Sequence, residues 1–211
     1  METRTNAGHS PSEESILDLI GHVYDASIVP SEWSTFLKKF SDMQRGAAIA
    51  MVAHNAADKT GEISYSVHCD AAWQESYARH FGETDIFVDR LRERGKDVGV
   101  WQGQNLIDGC DLTQSEFYND WLEPQGMFHT VHCLALRESN KVVTLRAGRA
   151  KSLGRFSATE LRAWELLLPH IRRSVHIQKL NTELASARNV MDGGLSRRSV
   201  GLILTKADGM I

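Results

Sequence analysis

The sequence predicts an α/β domain in which helices cover a central antiparallel sheet and a long helix follows. Three observations carry that reading. Two pairs of short β-compatible runs are each joined by a polar turn, amphipathic stretches precede and separate the pairs, and about 35 helix-compatible residues run from Ser157 to Gly193-Gly194.

Residues 1–11 are small and polar and are expected to be disordered. Ser12 is a suitable N-cap for a first helix to about Ala26, in which Ile16, Leu19, Ile20 and Val23 share a face. After Pro30, Ser31 is placed to cap a second helix, with Trp33, Phe36, Leu37 and Phe40 as its apolar stripe and Gly46 near its end. AAIAMVAHN (47–55) and GEISYSVHC (61–69) read as strands of a hairpin. A helix from Ala71 to about Phe81 follows, then IFVDRLRERG as a short helix stopped by Gly95, then an extended connector, VGVWQGQNLI. Thr113 with Glu116 forms a capping-box pattern for a helix to Leu122, which Pro124 and Gly126 end. FHTVHCLALRESNKVVTLRAGRA reads as two strands about a turn at RESNK.

Ser157 then opens the longest helix, with Leu161, Trp164, Leu168, Ile171, Val175 and further on Leu180 and Leu184 along one seam and Pro169 as a kink. A helix of that length spans roughly 50 Å at 1.5 Å per residue, more than a small domain is wide. Its far half therefore needs a partner, and the same helix of a second copy is the favoured one, against fraying or folding back. Gln178 and Asn181 interrupt the seam. RSVGLILTKADGMI reads as a strand turning at Asp208-Gly209 without a return strand, as expected of the front edge of a further domain. The expected organisation is thus a disordered start (1–11), a domain over 12–156, a signalling and dimerisation helix over 157–192, and a linker with the start of a truncated second domain over 193–211.

The chain has 211 residues, 42% hydrophobic and 24% charged, with a net charge of −3, a balance that fits one globular domain plus an extension and excludes a broadly basic chain. No apolar run approaches the roughly 20 residues of a bilayer span, and METRTNAGHSPSEES lacks a signal-peptide layout, so a cytoplasmic protein without membrane attachment is expected. Cys69, Cys110 and Cys133 are odd in number and lack C-x-x-C spacing, which points to reduced thiols. Motifs for a nucleophile elbow, a phosphate loop and a zinc protease are absent. Strand alternation sends His129 and Cys133 to one face and His132 to the other, which argues against a metal site. Arg172-Arg173 and Arg197-Arg198 stand without a helix-turn-helix, finger or aromatic platform and read as solvated helix face. Neither an enzyme nor a bound cofactor is indicated.

Trp73-Gln74-Glu75-Ser76-Tyr77, then Asp85, then Trp101, resemble in order and spacing the autoinducer-binding domain of LuxR-type transcriptional regulators. SEFYNDWLEPQG and VYDASIVPSEW resemble segments of the same family, so that the likeness covers roughly residues 15–185. The resemblance implies an α/β/α sandwich related to GAF and PAS domains, a ligand pocket walled by Trp73, Tyr77, Asp85 and Trp101, and DNA contact through a helix-turn-helix domain outside these residues. It implies an acyl-homoserine lactone as ligand, but Ile86 follows Asp85 where the family has Pro, Cys69 replaces an aromatic, and Thr130 stands where the family has Gly.

The strands point to a more polar ligand. On 142–148, Val143, Leu145 and Ala147 form an apolar face for the helices, leaving Thr144 and Arg146 opposite, and Thr130, His132 and Leu134 are expected on that same pocket side. An acidic or strongly polar ligand would pair with Arg146. For Arg146 a strand-end position in solvent stands as the alternative, and for Trp73, Tyr77 and Trp101 plain core does. Phe117, Tyr118 and Trp121 read as a wall sealing a short helix onto the sheet. Two functions follow: a ligand-sensing, dimerising region of a LuxR-like regulator, or a protein-interaction or dimerisation module whose pocket has closed and holds no ligand.

Overall fold

Helix ends show how the chain sets its elements. In the computed structural model, which describes residues 12–55, 57–94 and 99–196, the Ser12 hydroxyl accepts the Ser15 amide at 3.1 Å and opens α1 (Glu13–Ile28). Ser31 makes no side-chain cap to α2 (Glu32–Met43). It contributes its carbonyl instead, accepting the Ser34 amide at 3.1 Å. The two helices turn Leu19, Val23, Trp33, Phe36, Leu37 and Phe40 inward.

The sheet receives them. β1 (Ala48–Asn55) and β2 (Gly61–Val67) form the first hairpin, and β4 (His129–Arg137) and β5 (Lys141–Arg149) the second. The extended connector predicted over 98–107 supplies a short strand, β3 (Val100–Gln102), paired to β4 through Trp101↔His132. Every pairing is antiparallel, in the order β2-β1-β5-β4-β3. Because β1 pairs with β5, the two hairpins join into one surface, a link that local sequence does not encode.

Alternation then divides the molecule into layers. Ile49, Met51, Val131, Cys133, Val143, Leu145 and Ala147 face α1, α2 and the long helix α7 (Ala158–Ser196), forming one core. Val52 and the residues of α3 (Ala71–Ser76), α5 (Ile86–Glu93), α6 (Gly109–Gln114) and the segment Phe117–Leu122 form a second core on the other face. The result is the α/β/α sandwich.

Two helical segments differ from expectation. The pattern at Thr113 and Glu116 does not open a helix: α6 begins at Gly109 with the Asp108 carboxylate on the Cys110 amide (2.8 Å), and breaks at Ser115. The Ser115 hydroxyl caps the next piece through the Tyr118 amide (3.1 Å), while Thr113 bonds back to Gly109 and Cys110 and Glu116 meets His80. Ser115 competes better for the backbone because its own conformation is extended (φ −79°, ψ 144°), as an N-cap requires. The helix from Ala71 runs through a π turn (Tyr77–Phe81) into α4 (Gly82–Thr84), and Phe117–Leu122 is also π-helical. Each π turn brings aromatic rings toward the sheet.

The first half of α7 is not separate from the domain. Trp164, Leu167, Leu168 and Ile171 are buried in the first core, each burial stabilising by roughly 1.5–3 kcal/mol. Ser157 and Glu160 form a reciprocal capping box at its start (2.7 and 3.2 Å), and Arg149 at the end of β5 pairs with the same Glu160 at 2.5 Å. Gln178 and Asn181 also serve this domain: Gln178 accepts the Trp33 indole N–H at 2.9 Å and Asn181 donates to the Ser27 carbonyl at 3.3 Å. Leu180 and Leu184 face outward, 44% and 69% exposed. The helix continues past Gly193-Gly194, where the sequence predicted its end, to Ser196. The expected disordered start, Gly95 and the expected strand after Arg197 lie outside the described residues.

Candidate functional site: a buried polar cluster beside a small cavity

The site grows out of strand register. Arg146 on β5 lies opposite His132 on β4 and Ala50 on β1, so its side chain stands on the face turned toward α3–α6. Its Nε donates to Thr144 Oγ1 at 2.8 Å and its Nη1 to Asp85 Oδ2. Asp85, at the junction before α5, also caps that helix, its Oδ1 accepting the Phe87 amide at 3.0 Å. Capping therefore uses one carboxylate oxygen, which prevents a two-pronged Arg–carboxylate pair. Arg146 Nη2 is left buried with no partner.

Tyr77 donates its hydroxyl proton to Asp85 Oδ2 at 2.6 Å, while its oxygen lies 2.7 Å from His54 Nε2. With that proton committed, the His54 Nε2 must be the donor, so Nδ1 is a bare acceptor, and it too is buried without a partner. His132 Nε2 meets Thr130 Oγ1 at 2.9 Å, and its ring packs on Phe87 at 4.2 Å between centroids. Burial, reinforced by the Arg146 charge, pushes both histidines down to about 3, so both are neutral. For Asp85, burial favours the neutral acid, but the Arg146 charge, helped by the Tyr77 hydrogen bond, outweighs it and the carboxyl is held below its usual range. Burial, then the Asp85 charge, raises the Tyr77 hydroxyl. Arg146 and Asp85 thus form a buried ion pair inside a ring of neutral donors and acceptors.

On one side of this cluster lies a cavity of about 50 Å³. Its polar wall is Tyr77, Thr130, His132 and Arg146, with the Cys69 thiol, and its apolar wall includes Val52, Phe87, Phe117, Trp121, Leu122 and Met127. On the other side a hollow of about 80 Å³ is lined by His54, Lys59, Glu83, Asp85 and Arg92. Close backbone approach shapes the surroundings of the first. A Cβ on Gly148 would sit 2.7 Å from Met127 Sδ, and one on Gly103 would overlap the Thr130 hydroxyl. Gly103, in the turn that follows β3, thus leaves the space that the Thr130 hydroxyl occupies.

Of the residues singled out from the sequence, Tyr77, Asp85, Thr130, His132 and Arg146 come together, and Thr144 and Leu134 lie on the expected face. Arg146 is 8% exposed, which removes the solvent alternative. Trp73 and Trp101 do not line the cavity. Trp73 packs against the outside of the second core, its carbonyl accepting the Trp121 indole N–H at 3.2 Å. Trp101, on an edge strand, lies under the Arg94 guanidinium at 5.8 Å. Phe117 and Trp121 form the expected wall, stacked at 5.2 Å, and that wall is also cavity lining. His54 and Met127 were not singled out. For His54 an alternating strand offered a signal, a polar residue among apolar ones on the pocket face, but for Met127 none was present. Cys133 is in the first core and His132 on the opposite face. Among the described residues no group of three His, Cys, Asp or Glu side chains is placed to hold a metal ion. No helix among them is long and apolar enough to cross a membrane.

No family model and no curated protein matches the sequence. Solved structures do match the fold. The VqsR LBD domain from Pseudomonas aeruginosa superposes with a TM-score of 0.61 at 16% identity, over 76% of this chain and 96% of that one. The phycoerythrobilin-bound GAF domain of a cyanobacterial phytochrome gives 0.56 at 9% identity, over 81% and 97%. An N-acylhomoserine lactone dependent LuxR family transcription factor from Burkholderia cenocepacia gives 0.51 at 10%, over 78% and 94%. The chain therefore has the GAF-like α/β/α fold that LuxR-type ligand-binding domains share.

Proposed function

We propose that this chain is the ligand-sensing and dimerisation region of a LuxR-like transcription regulator. A small molecule enters between the sheet and the α3–α6 layer, and α7 carries the response to a DNA-binding domain outside these residues. The observation that carries the reading is the cavity itself, set against a buried guanidinium whose Nη2 has no acceptor. The fold of an N-acylhomoserine lactone dependent factor and of a bilin-binding GAF domain supports it. Coupling has a direct route: Arg146 contributes to the cluster, Arg149 three residues on holds Glu160, and Glu160 sits in the first turn of α7. A ligand that binds one arrangement of β5 more tightly shifts the start of α7 with it. Dimerisation is assigned to the far half of α7, through Leu180 and Leu184.

The cavity's volume supports a second reading. About 50 Å³ holds a few waters, far below the several hundred of an ordinary ligand site, so a closed, dimerisation-only module is the competing function. Native mass spectrometry of the purified chain, with light scattering on the wild type and on Leu180→Glu/Leu184→Glu, separates them. A bound small-molecule mass on a dimer that the double variant splits supports sensing. A dimer with no bound mass that remains indifferent to every added compound establishes the closed module, and a wild-type monomer removes α7 as the interface.

A further inference from the structure

The charge balance of the cluster restricts what the cavity can hold. Arg146 and Asp85 cancel, His54 and His132 are neutral, and the Cys69 thiol, raised to about 11 by burial and then by Asp70, is neutral as well. An anionic ligand would bring an uncompensated charge against Asp85, and a cationic one would meet Arg146 with no free carboxylate in the cavity wall. Arg146 Nη2 nevertheless needs an acceptor, since its Nε is taken by Thr144 and its Nη1 by Asp85. The remaining wall is apolar and aromatic.

Resting on the sensory reading above, we infer that the ligand is an uncharged molecule with an apolar, ring-sized body and one carbonyl-type acceptor, which docks on Arg146 Nη2. This replaces the expectation of an acidic ligand, because Asp85 already occupies the site's positive charge. Room for the body comes from Met127. Its thioether lies over Gly148 at the cavity wall and is half-buried, and an unbranched side chain can swing aside at small cost.

The test uses four probes of one size, acetophenone, ethylbenzene, benzoate and benzylammonium, titrated into the full chain by ligand-observed NMR. The wild type, Met127→Ala and Arg146→Lys are compared, lysine keeping the charge beside Asp85 while removing Nη2. Acetophenone is expected to bind roughly 10- to 100-fold more tightly than ethylbenzene, the worth of a hydrogen bond to a charged donor. Both ions should bind more weakly still, Met127→Ala should tighten the neutral pair together, and Arg146→Lys should bring the acetophenone to ethylbenzene ratio close to one. Benzoate binding best would overturn the ligand class and leave the pocket standing. Equal binding of acetophenone and ethylbenzene to the wild type would overturn the role of Arg146. If none of the four binds even to Met127→Ala, the sensory reading itself falls.

Discussion

Replacing Asp85 by Asn tests the cluster most directly. The amide preserves the shape and can still offer an oxygen to the Phe87 amide, so α5 keeps its cap while the charge beside Arg146 disappears. Arg146 is then a buried cation with no counter-ion, since its other neighbours, Thr144 and His132, are neutral. Removing one member of a buried pair costs about 3–5 kcal/mol, most of it the stranded charge. For a domain of this size each kcal/mol lowers Tm by roughly 2–4 °C, so the variant should melt about 6–20 °C below wild type. Urea denaturation gives the free energy directly, and Arg146→Met completes the cycle. In the double variant the stranded charge is gone, so about 2–3 kcal/mol of the loss should return as a coupling energy. An Asp85→Asn variant within 1 kcal/mol of wild type, or strictly additive single effects, would refute the buried pair as described.

Acid should destabilise the fold from an unusually high pH. His54 and His132 are depressed to about 3 in the folded chain and sit near 6.5 when unfolded, so between these values the unfolded state holds two more protons. Stability should therefore fall as pH drops below about 6.5, by up to about 2.7 kcal/mol per pH unit, and urea midpoints of His132→Phe should show roughly half that slope. Asp85, also depressed, adds a loss only below about pH 4, as its carboxylate protonates. Of the three thiols, Cys110 is exposed, Cys69 is half-buried and Cys133 is buried and pushed up to about 12. One fast-reacting thiol is expected with a colorimetric disulfide reagent, and saturating a cavity ligand should slow Cys69 further. Arg149→Met should cost about 3–5 kcal/mol by stranding Glu160, measured by urea denaturation, and should shift the dimer equilibrium proposed for α7 if β5 is coupled to the helix.

Periodicity made most elements legible. The stripes of α1 and α2, the two hairpins and the inward seam of α7 are repeats of 3.6 and 2 written into neighbouring residues, and burial follows them. Alternation alone put Thr130, His132 and Arg146 on one face and Leu145 and Ala147 on the other, and the register agrees. The broken helix at Ser115 was not legible, because Thr113–Glu116 and Ser115 compete for the same amides and only the packing of Phe117 and Trp121 onto the sheet selects between them.

What the sequence could not contain is contact between distant residues. Asp85 and Arg146 are 61 residues apart, and their pairing follows from the β1–β5 junction that merges two hairpins into one sheet. That pairing decides whether Arg146 is a waiting positive charge or a neutralised donor with its Nη2 group unpaired. Tertiary structure also moved Trp73 and Trp101 away from the cavity and gave Gln178 and Asn181, polar interruptions on a seam, partners in α1 and α2. Local pattern determined the elements and the faces because backbone geometry repeats over a few residues. The charge state and size of the site were decided only when the sheet closed, because electrostatics and packing act through space.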